Sequence, residues 1–456
     1  MPLLPDLQKH LDETAARSGV PGAVVAVGQG NALAEAATGV VNRATGVAST
    51  PESVFQIGSV TKVWTAALVM QLVDDGLVDV DQPVRRYLPG FAVVDPEATE
   101  TVTVRHLLTH TAGFDGDLFE DTGRGDDALD RYLAYLGGAA HQIAAPGTLF
   151  SYCNSGFSVL GALVARLRGG TWESVLRDRL IEPLGAEHMA LLAEEAILFR
   201  AAAGHVKLPG ADDYSVVRQW QLPRSGGPAG ATPCAAPRDL VRFGRMFLSG
   251  GLTAGGVRLL SEDALAAMAA PQVAVPGVPV RGNGDQGLGI ALFDWDGAAV
   301  IGHDGGTVGQ SALWRVVPEH QLVVAISASG ATPRFFDDLL DPIVYELTGR
   351  TVPPRPVPPS DPVPPAALDL RRYAGRYRYP LYSFDVIATD AGLEVTATPD
   401  GVAAQGGDAA TTERYVPLSG DTFVSERPEN GRHLTITFVD GGKYLHDGRA
   451  AIRETR

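Results

Sequence analysis

"FQIGSVTKVWTAA", residues 55–67, places a single charged residue, Lys62, three positions after a serine in an otherwise uncharged stretch. The chain has four lysines, Lys9, Lys62, Lys207 and Lys443, among 37 basic residues, so 37 − 4 leaves 33 arginines. Where arginine is the default cation, such a lysine is informative. An amine can release its proton near neutral pH and a guanidinium cannot. Val63, Ala66, Ala67, Met70 and Val73 recur with a helical period, and Gly76 ends the run. Ser59 then stands at the helix start, beside free N–H groups and the positive end of the helix dipole. Lys62 lies one turn on, on the same side. A serine hydroxyl needs a base to become a nucleophile, and a desolvated lysine can be one. S-x-x-K alone is also what a capping serine and a snorkelling lysine would leave.

The rest of the composition excludes several classes. A formal charge of −16 opposes nucleic acid and anionic membranes as partners. No stretch approaches the apolar length of a membrane span. The amphipathic N-terminus lacks the basic-then-apolar layout of a secretory signal, so a cytoplasmic location is expected. Cys153 and Cys234 are too few for a disulfide framework. No Cys/His spacing fits a metal site, and neither metal nor cofactor is expected.

The chain divides at "TVPPRPVPPSDPVPPAA", residues 351–367, whose prolines suit an extended spacer. Before it, residues 1–350 begin with a helix over about 4–18. The hairpin-like runs "GAVVAVGQG" and "ALAEAATGVV" follow, joined at Gly-Asn. Residues 77–250 read as helices broken by Gly/Pro loops. Strands return in "LGIALFDW", "AAVIGH" and "SALWRVVPEHQLVVAISAS", and a helix closes the region in "PRFFDDLLDPIVYEL". Strands at both ends around a helical middle predict an α+β domain, with one sheet completed by distant segments. Residues 368–456 alternate with period two in "FDVIAT", "LEVTAT" and "HLTITFV", predicting a small antiparallel barrel or sandwich.

Two further stretches carry candidate chemistry. In "PGTLFSYCNSGFSVLG", residues 146–161, Tyr152 can share a proton with an ammonium, and Asn154 can hold both a lysine and a substrate carbonyl. A core tyrosine beside a capping asparagine would look the same. In "VIGHDGGTVGQSALW", residues 300–314, a strand ends in His303, Asp304, Gly305 and Gly306. Glycines there let another backbone approach, and an N–H from that strand could join that of Ser59 as an oxyanion hole. "GNGDQG", residues 282–287, matches a dinucleotide-binding pattern but precedes a strand-like run, not a helix. G-x-S-x-G is absent. Cys153 reads as a small buried side chain.

In combination, S-x-x-K, Y-x-N and H-x-G in this order resemble the serine β-lactamase and penicillin-binding-protein superfamily. The branch most similar holds class C β-lactamases, D-aminopeptidases and esterases. "LVDDGLVDVDQPVRRYLPGF" (72–91) and "VTVRHLLTHTAGF" (102–114) resemble segments of that family. The resemblance implies a β-lactamase/transpeptidase-like antiparallel sheet with a helical subdomain, and a lipocalin-like C-terminal barrel. It implies Ser59 as nucleophile, Lys62 and Tyr152 as the proton-transfer pair, and Asn154 as the group that positions lysine and substrate. His303 would support Tyr152 or bind substrate, and the oxyanion would lie between the N–H groups of Ser59 and Gly306. Which of Lys62 and Tyr152 is the base stays open. His303 stands where many relatives carry a lysine, which argues against strong β-lactamase activity.

The chain is similar above all to stand-alone penicillin-binding-protein-type thioesterases, which close a nonribosomal peptidyl thioester with a D-residue C-terminus head to tail. Its expected partners are a peptidyl thioester, a small peptide or an ester, with a carrier protein as a possible acyl donor. A D-amino-acid peptidase or amidase and a carboxylesterase share most of the same signals. A non-catalytic penicillin-recognising sensor is the alternative of another class. Arg449, after a turn in "YLHDGRAAIRE", is a candidate to reach over the site and bind a carboxylate or carbonyl. A solvated surface arginine is the plainer reading.

Overall fold

Both alternating sets of side chains in "GAVVAVGQ" are apolar or small, so this strand needs cover on two faces. In the computed structural model, which describes residues 3–207, 211, 213–361, 368–405 and 409–454, it is the interior strand β1 (Gly22–Gln29). It turns at Gly30-Asn31 into β2 (Ala32–Asn42), the expected hairpin. On its other side it pairs antiparallel with β9 (Leu322–Ser329), with Ala26 opposite Ala325. The sheet is thus closed by segments from opposite ends of the domain.

Its remaining strands are β3 (Val47–Ala48), β4 (Val273–Ala274), β5 (Asn283–Gln286), β6 (Ala291–Trp295), β7 (Ala298–Thr307) and β8 (Gln310–Val317). Their order is β3-β2-β1-β9-β8-β7-β6-β5-β4. "GNGDQG" contributes β5 and no helix follows it, so the dinucleotide pattern is a coincidence of glycines.

Pleat alternation sorts the core into two layers. Val25 and Val27 pack with α1 (Leu7–Ser18) and with Phe335 and Leu339 of α5 (Pro333–Thr348). Ala26, Val323 and Ala325 face the helical region, with α2 (Thr61–Asp74), α3 (Asn154–Arg168) and α4 (Pro237–Leu248). The periodicity of α2 suggested one apolar stripe, yet the helix is buried on every side from Thr61 to Leu72. Two of its polar side chains find partners inside: the Thr65 hydroxyl donates to the Pro228 carbonyl at 2.8 Å and the Gln71 amide N–H to that of Leu259 at 3.0 Å, whereas Thr61 Oγ1, Trp64 Nε1 and Gln71 Oε1 are buried without one. Trp64 stacks on Phe243 of α4 at 3.9 Å between ring centroids.

Residues 351–361 form no helix or strand. They are laid on the first domain rather than standing free: Val352 is buried in the α1/α5 layer, and Arg355 donates two hydrogen bonds to Asp337. Residues 362–367 of the expected spacer lie outside the described residues. Beyond them, strands β10 (Gly375–Tyr379), β11 (Tyr382–Thr389), β12 (Gly392–Pro399), β13 (Thr411–Ser419), β14 (Thr422–Ser425), β15 (Thr435–Val439), β16 (Tyr444–His446) and β17 (Ala450–Arg453) form a closed barrel. β10 pairs with β17, so closure leaves no sheet edge. The barrel is filled by Tyr377, Phe384, Phe423 and Phe438 among others. The architecture is therefore α+β, a β-lactamase/transpeptidase-like antiparallel sheet with helical cover, followed by an eight-stranded barrel of the lipocalin-like kind.

All five tryptophans, Trp64, Trp172, Trp220, Trp295 and Trp314, precede the linker. Tryptophan fluorescence during urea unfolding therefore reports on the first domain alone. Phe335→Ala, which empties a fully buried site between α5 and the sheet, is expected to lower that domain's stability by about 3–5 kcal/mol.

Candidate active site

The turn Gly58–Val60 leads directly into α2 and sets Ser59 at the junction of sheet and helical region. Two backbones nearly touch there. Gly58 has φ +51°, and a Cβ on it would lie 2.5 Å from the nitrogen of Gly306. A Cβ on Gly305 would collide with the carbonyl of Ile57. Only glycines permit this approach, which brings the Gly306 end of β7 beside Ser59. β6 pairs with β7 only from Ala298 to Gly302, so His303–Thr307 have no strand partner on that edge.

Lys62 is fully buried, and its Nζ donates to Ser59 Oγ at 2.9 Å and to the Ala229 carbonyl at 2.6 Å. It also lies 4.9 Å from the centre of the Tyr152 ring. Burial depresses its pKa well below the ordinary lysine range; Asp117 opposes this and Arg449 reinforces it. Tyr152 moves the other way. Burial pushes its hydroxyl upward, and the neighbouring Ser59 hydroxyl and Arg449 guanidinium only partly pull it back.

His303 Nε2 faces the Tyr152 hydroxyl at 3.5 Å, while its Nδ1 lies 2.6 Å from the Asp304 carbonyl. A carbonyl can only accept, so Nδ1 carries the proton and Nε2 offers a lone pair towards Tyr152. Burial, with Lys62 nearby, lowers the His303 pKa to about 4, so the ring is neutral at pH 7. Asn154, at the start of α3, donates its hydrogen bond to Asp117 at 2.5 Å, while those of Lys62 go to Ser59 and Ala229. The lysine partner that sequence reasoning assigned to Asn154 is the Ala229 carbonyl instead. Cys153 is buried, its Sγ accepts from the Gly156 N–H, and burial holds its thiol up at about 12, as an inert side chain requires.

Arg449 is not a solvated surface residue. It pairs with the buried carboxylate of Asp117 and sits 5.1 Å from the centre of the Tyr152 ring. The β16–β17 turn that carries it is fastened to the Tyr152 segment. Tyr152 N–H donates to the Gly448 carbonyl at 3.1 Å and Ala450 N–H to Ser151 Oγ at 3.1 Å, while His446 Nε2 lies 3.1 Å from the Phe150 carbonyl. Ser59, Tyr152, Asn154, His303, Gly306 and Arg449 all line one cavity of about 490 Å³, ordinary for a small-molecule or peptide-end site.

The model of the beta-lactamase family matches residues 7–347. This chain belongs to the beta-lactamase family. Penicillin-binding protein 4 of Amycolatopsis lactamdurans is 43% identical over 373 residues, covering 81% of this chain and 96% of that protein. Esterase EstB of Burkholderia gladioli is 30% identical over 283 residues, covering 58% of this chain and 69% of its own. Among solved structures, SurE superposes with a TM-score of 0.79 at 29% identity, over 99% of both chains. The D-amino acid amidase of Ochrobactrum anthropi SV3 shares the fold, with a TM-score of 0.64 at 23% identity over 76% of this chain and 99% of that one. The protein is accordingly a serine hydrolase or acyltransferase of this family. Among the described residues no cluster could hold a metal ion, and no helix is long and apolar enough to cross a membrane.

Two members of the site escaped sequence reasoning. His110, in the "THTAGF" of an already noticed segment, has φ +59°, and its ring packs tilted against Tyr152 with 4.3 Å between centroids. Its carbonyl and Nδ1 accept from the N–H groups of Ser151 and Cys153, so it holds the tyrosine segment in place. Asp117, in "GFDGDLF", reads as a loop residue until Arg449 meets it. Arg449→Ala strands that buried carboxylate and is expected to cost about 3 kcal/mol in urea unfolding. The double variant Asp117→Asn/Arg449→Met is expected to recover most of the loss.

Proposed function

We propose that this protein is an acyl-transfer enzyme of the penicillin-binding-protein-type thioesterase kind, releasing a peptidyl thioester with a D-residue C-terminus by head-to-tail closure. The observation that carries the reading is the turn of the barrel built into the site, in a chain similar from end to end to SurE, a protein also crystallised with D-Leu. The opposed shifts of Lys62 and Tyr152 support roles for both, since a matched acid and base are found where environments drive two groups apart.

In this reading neutral Lys62 takes the proton of Ser59 Oγ as the oxygen attacks the thioester carbonyl. The Ala229 carbonyl keeps the amine's lone pair aimed at Ser59. Negative charge collects on the former carbonyl oxygen, between the N–H groups of Ser59 and Gly306. The C–S bond then breaks, and the proton returns through Tyr152 to the departing thiolate. The amino terminus of the acyl chain attacks the ester, loses a proton to the same pair, and Ser59 recovers its hydrogen as the C–O bond breaks. Neutral His303 orients Tyr152 through Nε2. Arg449 supplies the fixed positive charge that a lysine in place of His303 would provide, and engages a peptide carbonyl. A carrier protein presents the thioester.

The likeness to EstB favours a second reading, hydrolysis of simple esters, in which water resolves the acyl-enzyme. A non-catalytic sensor is disfavoured by a buried amine held against Ser59.

A mass-resolved assay with a linear peptidyl thioester ending in a D-residue is expected to give cyclic peptide from the wild type and none from Ser59→Ala. Linear acid alone would leave the esterase reading. Lys62→Arg, whose guanidinium stays protonated, is expected to lower kcat by about 10³-fold.

The pH–rate profile tests the electrostatics. Activity requires neutral Lys62, so the acidic limb of kcat/KM follows its pKa. Arg449 lowers that pKa and Asp117 raises it. Arg449→Met should therefore move the limb to higher pH, and Asp117→Asn to lower pH. Movement of both in one direction would contradict the assignment of Lys62 as base.

A further inference from the structure

Past Gly306, the wall between β7 and residues 218–224 opens into a second space of about 870 Å³. It shares Phe119, Leu222 and Gly306 with the catalytic cavity, so the two are continuous. Its sides mix Leu192 and Trp220 with two exposed arginines, Arg124 and Arg218, and with the carboxylates of Asp121 and Glu194. Among the described residues neither guanidinium has an acidic partner within ion-pair distance, although the chain carries 53 acidic residues and pairs most of its other arginines. The Thr307 hydroxyl, at the mouth, is buried without a hydrogen-bond partner. A chain leaving Ser59 along the unpaired edge of β7 meets this space next.

We infer that this groove holds the upstream residues of an extended peptidyl acyl donor, with an acidic side chain of that peptide placed at Arg124 and Arg218. The inference rests on the acyl-transfer reading of Ser59. Three features favour a peptide as occupant. The groove continues from the reacting centre, it offers an open strand edge at its entrance, and it sets Arg124 and Arg218, neither of them ion-paired to Asp121 or Glu194, beside Leu192 and Trp220. Binding energy gathered there would be spent on orienting the scissile carbonyl, so it would raise kcat/KM for long donors.

The test compares thioesters on the full chain: a dipeptidyl donor, a neutral hexapeptidyl donor and a hexapeptidyl donor with an acidic residue in its upstream half, all ending in the same D-residue. The wild type is expected to favour the hexapeptides by about ten-fold in kcat/KM. The acidic hexapeptide should gain about three-fold over the neutral one. Arg124→Glu/Arg218→Glu should remove or reverse that last gain and leave dipeptide turnover unchanged. Ala193→Trp, which fills the groove from its side, should abolish the length preference with dipeptide turnover retained. Equal kcat/KM for dipeptide and hexapeptides would overturn the groove while leaving the acyl-transfer chemistry standing. Turnover of none of the three would overturn both.

Discussion

A primary amine held out of solvent between a serine hydroxyl and a backbone carbonyl is the constraint on which the rest of this protein depends. Lys62 can occupy that place only because α2 is enclosed on every side, by the sheet, by α3 and by the segment that carries Ala229. Burial of an ammonium is costly, and that cost depresses the Lys62 pKa well below the ordinary lysine range. The glycine contact between the Ile57–Gly58 turn and Gly305–Gly306 belongs to the same solution. It closes the serine side of the cavity with backbone, and backbone N–H groups are what a developing oxyanion needs.

The barrel belongs to the site as much as the sheet does. Its β16–β17 turn accepts from the Tyr152 N–H and carries Arg449 onto Asp117. Asp117 by itself would raise the pKa of Lys62, and Arg449 opposes it. The pair thus acts on the lysine with opposed signs, one partner from the first domain and one from the barrel. A histidine in place of a lysine on β7 fits the same economy of charge. A fixed cation there would lie beside Lys62 as well as Tyr152, whereas neutral His303 faces the Tyr152 hydroxyl without adding charge.

Much of this was legible from local pattern. The three-residue spacing of Ser59 and Lys62 puts them on one side of a helix by geometry alone, and a lysine in an apolar stretch of an arginine-rich chain singles itself out as a candidate. Period-two alternation disclosed the barrel, and the glycines after His303 disclosed the backbone approach. Less legible was the full enclosure of α2, because Thr65 and Gln71 look like a polar face until Pro228 and Leu259 supply carbonyl partners from far along the chain. His110 was equally hidden, since a left-handed histidine that props up a tyrosine leaves no periodic trace.

The sequence by itself determined the chemistry available: a serine, an amine able to lose its proton, a tyrosine, and strands and helices whose periods follow from side-chain geometry. Only the tertiary structure decided which groups tune that chemistry. Asp117 and Arg449 stand 332 positions apart, Ala229 meets Lys62 across 167, and the groove past Gly306 is bounded by segments from four regions of the chain. Such pairings come from the packing of distant elements around a common core. Packing depends on shape and volume summed over many residues, which no local spacing records.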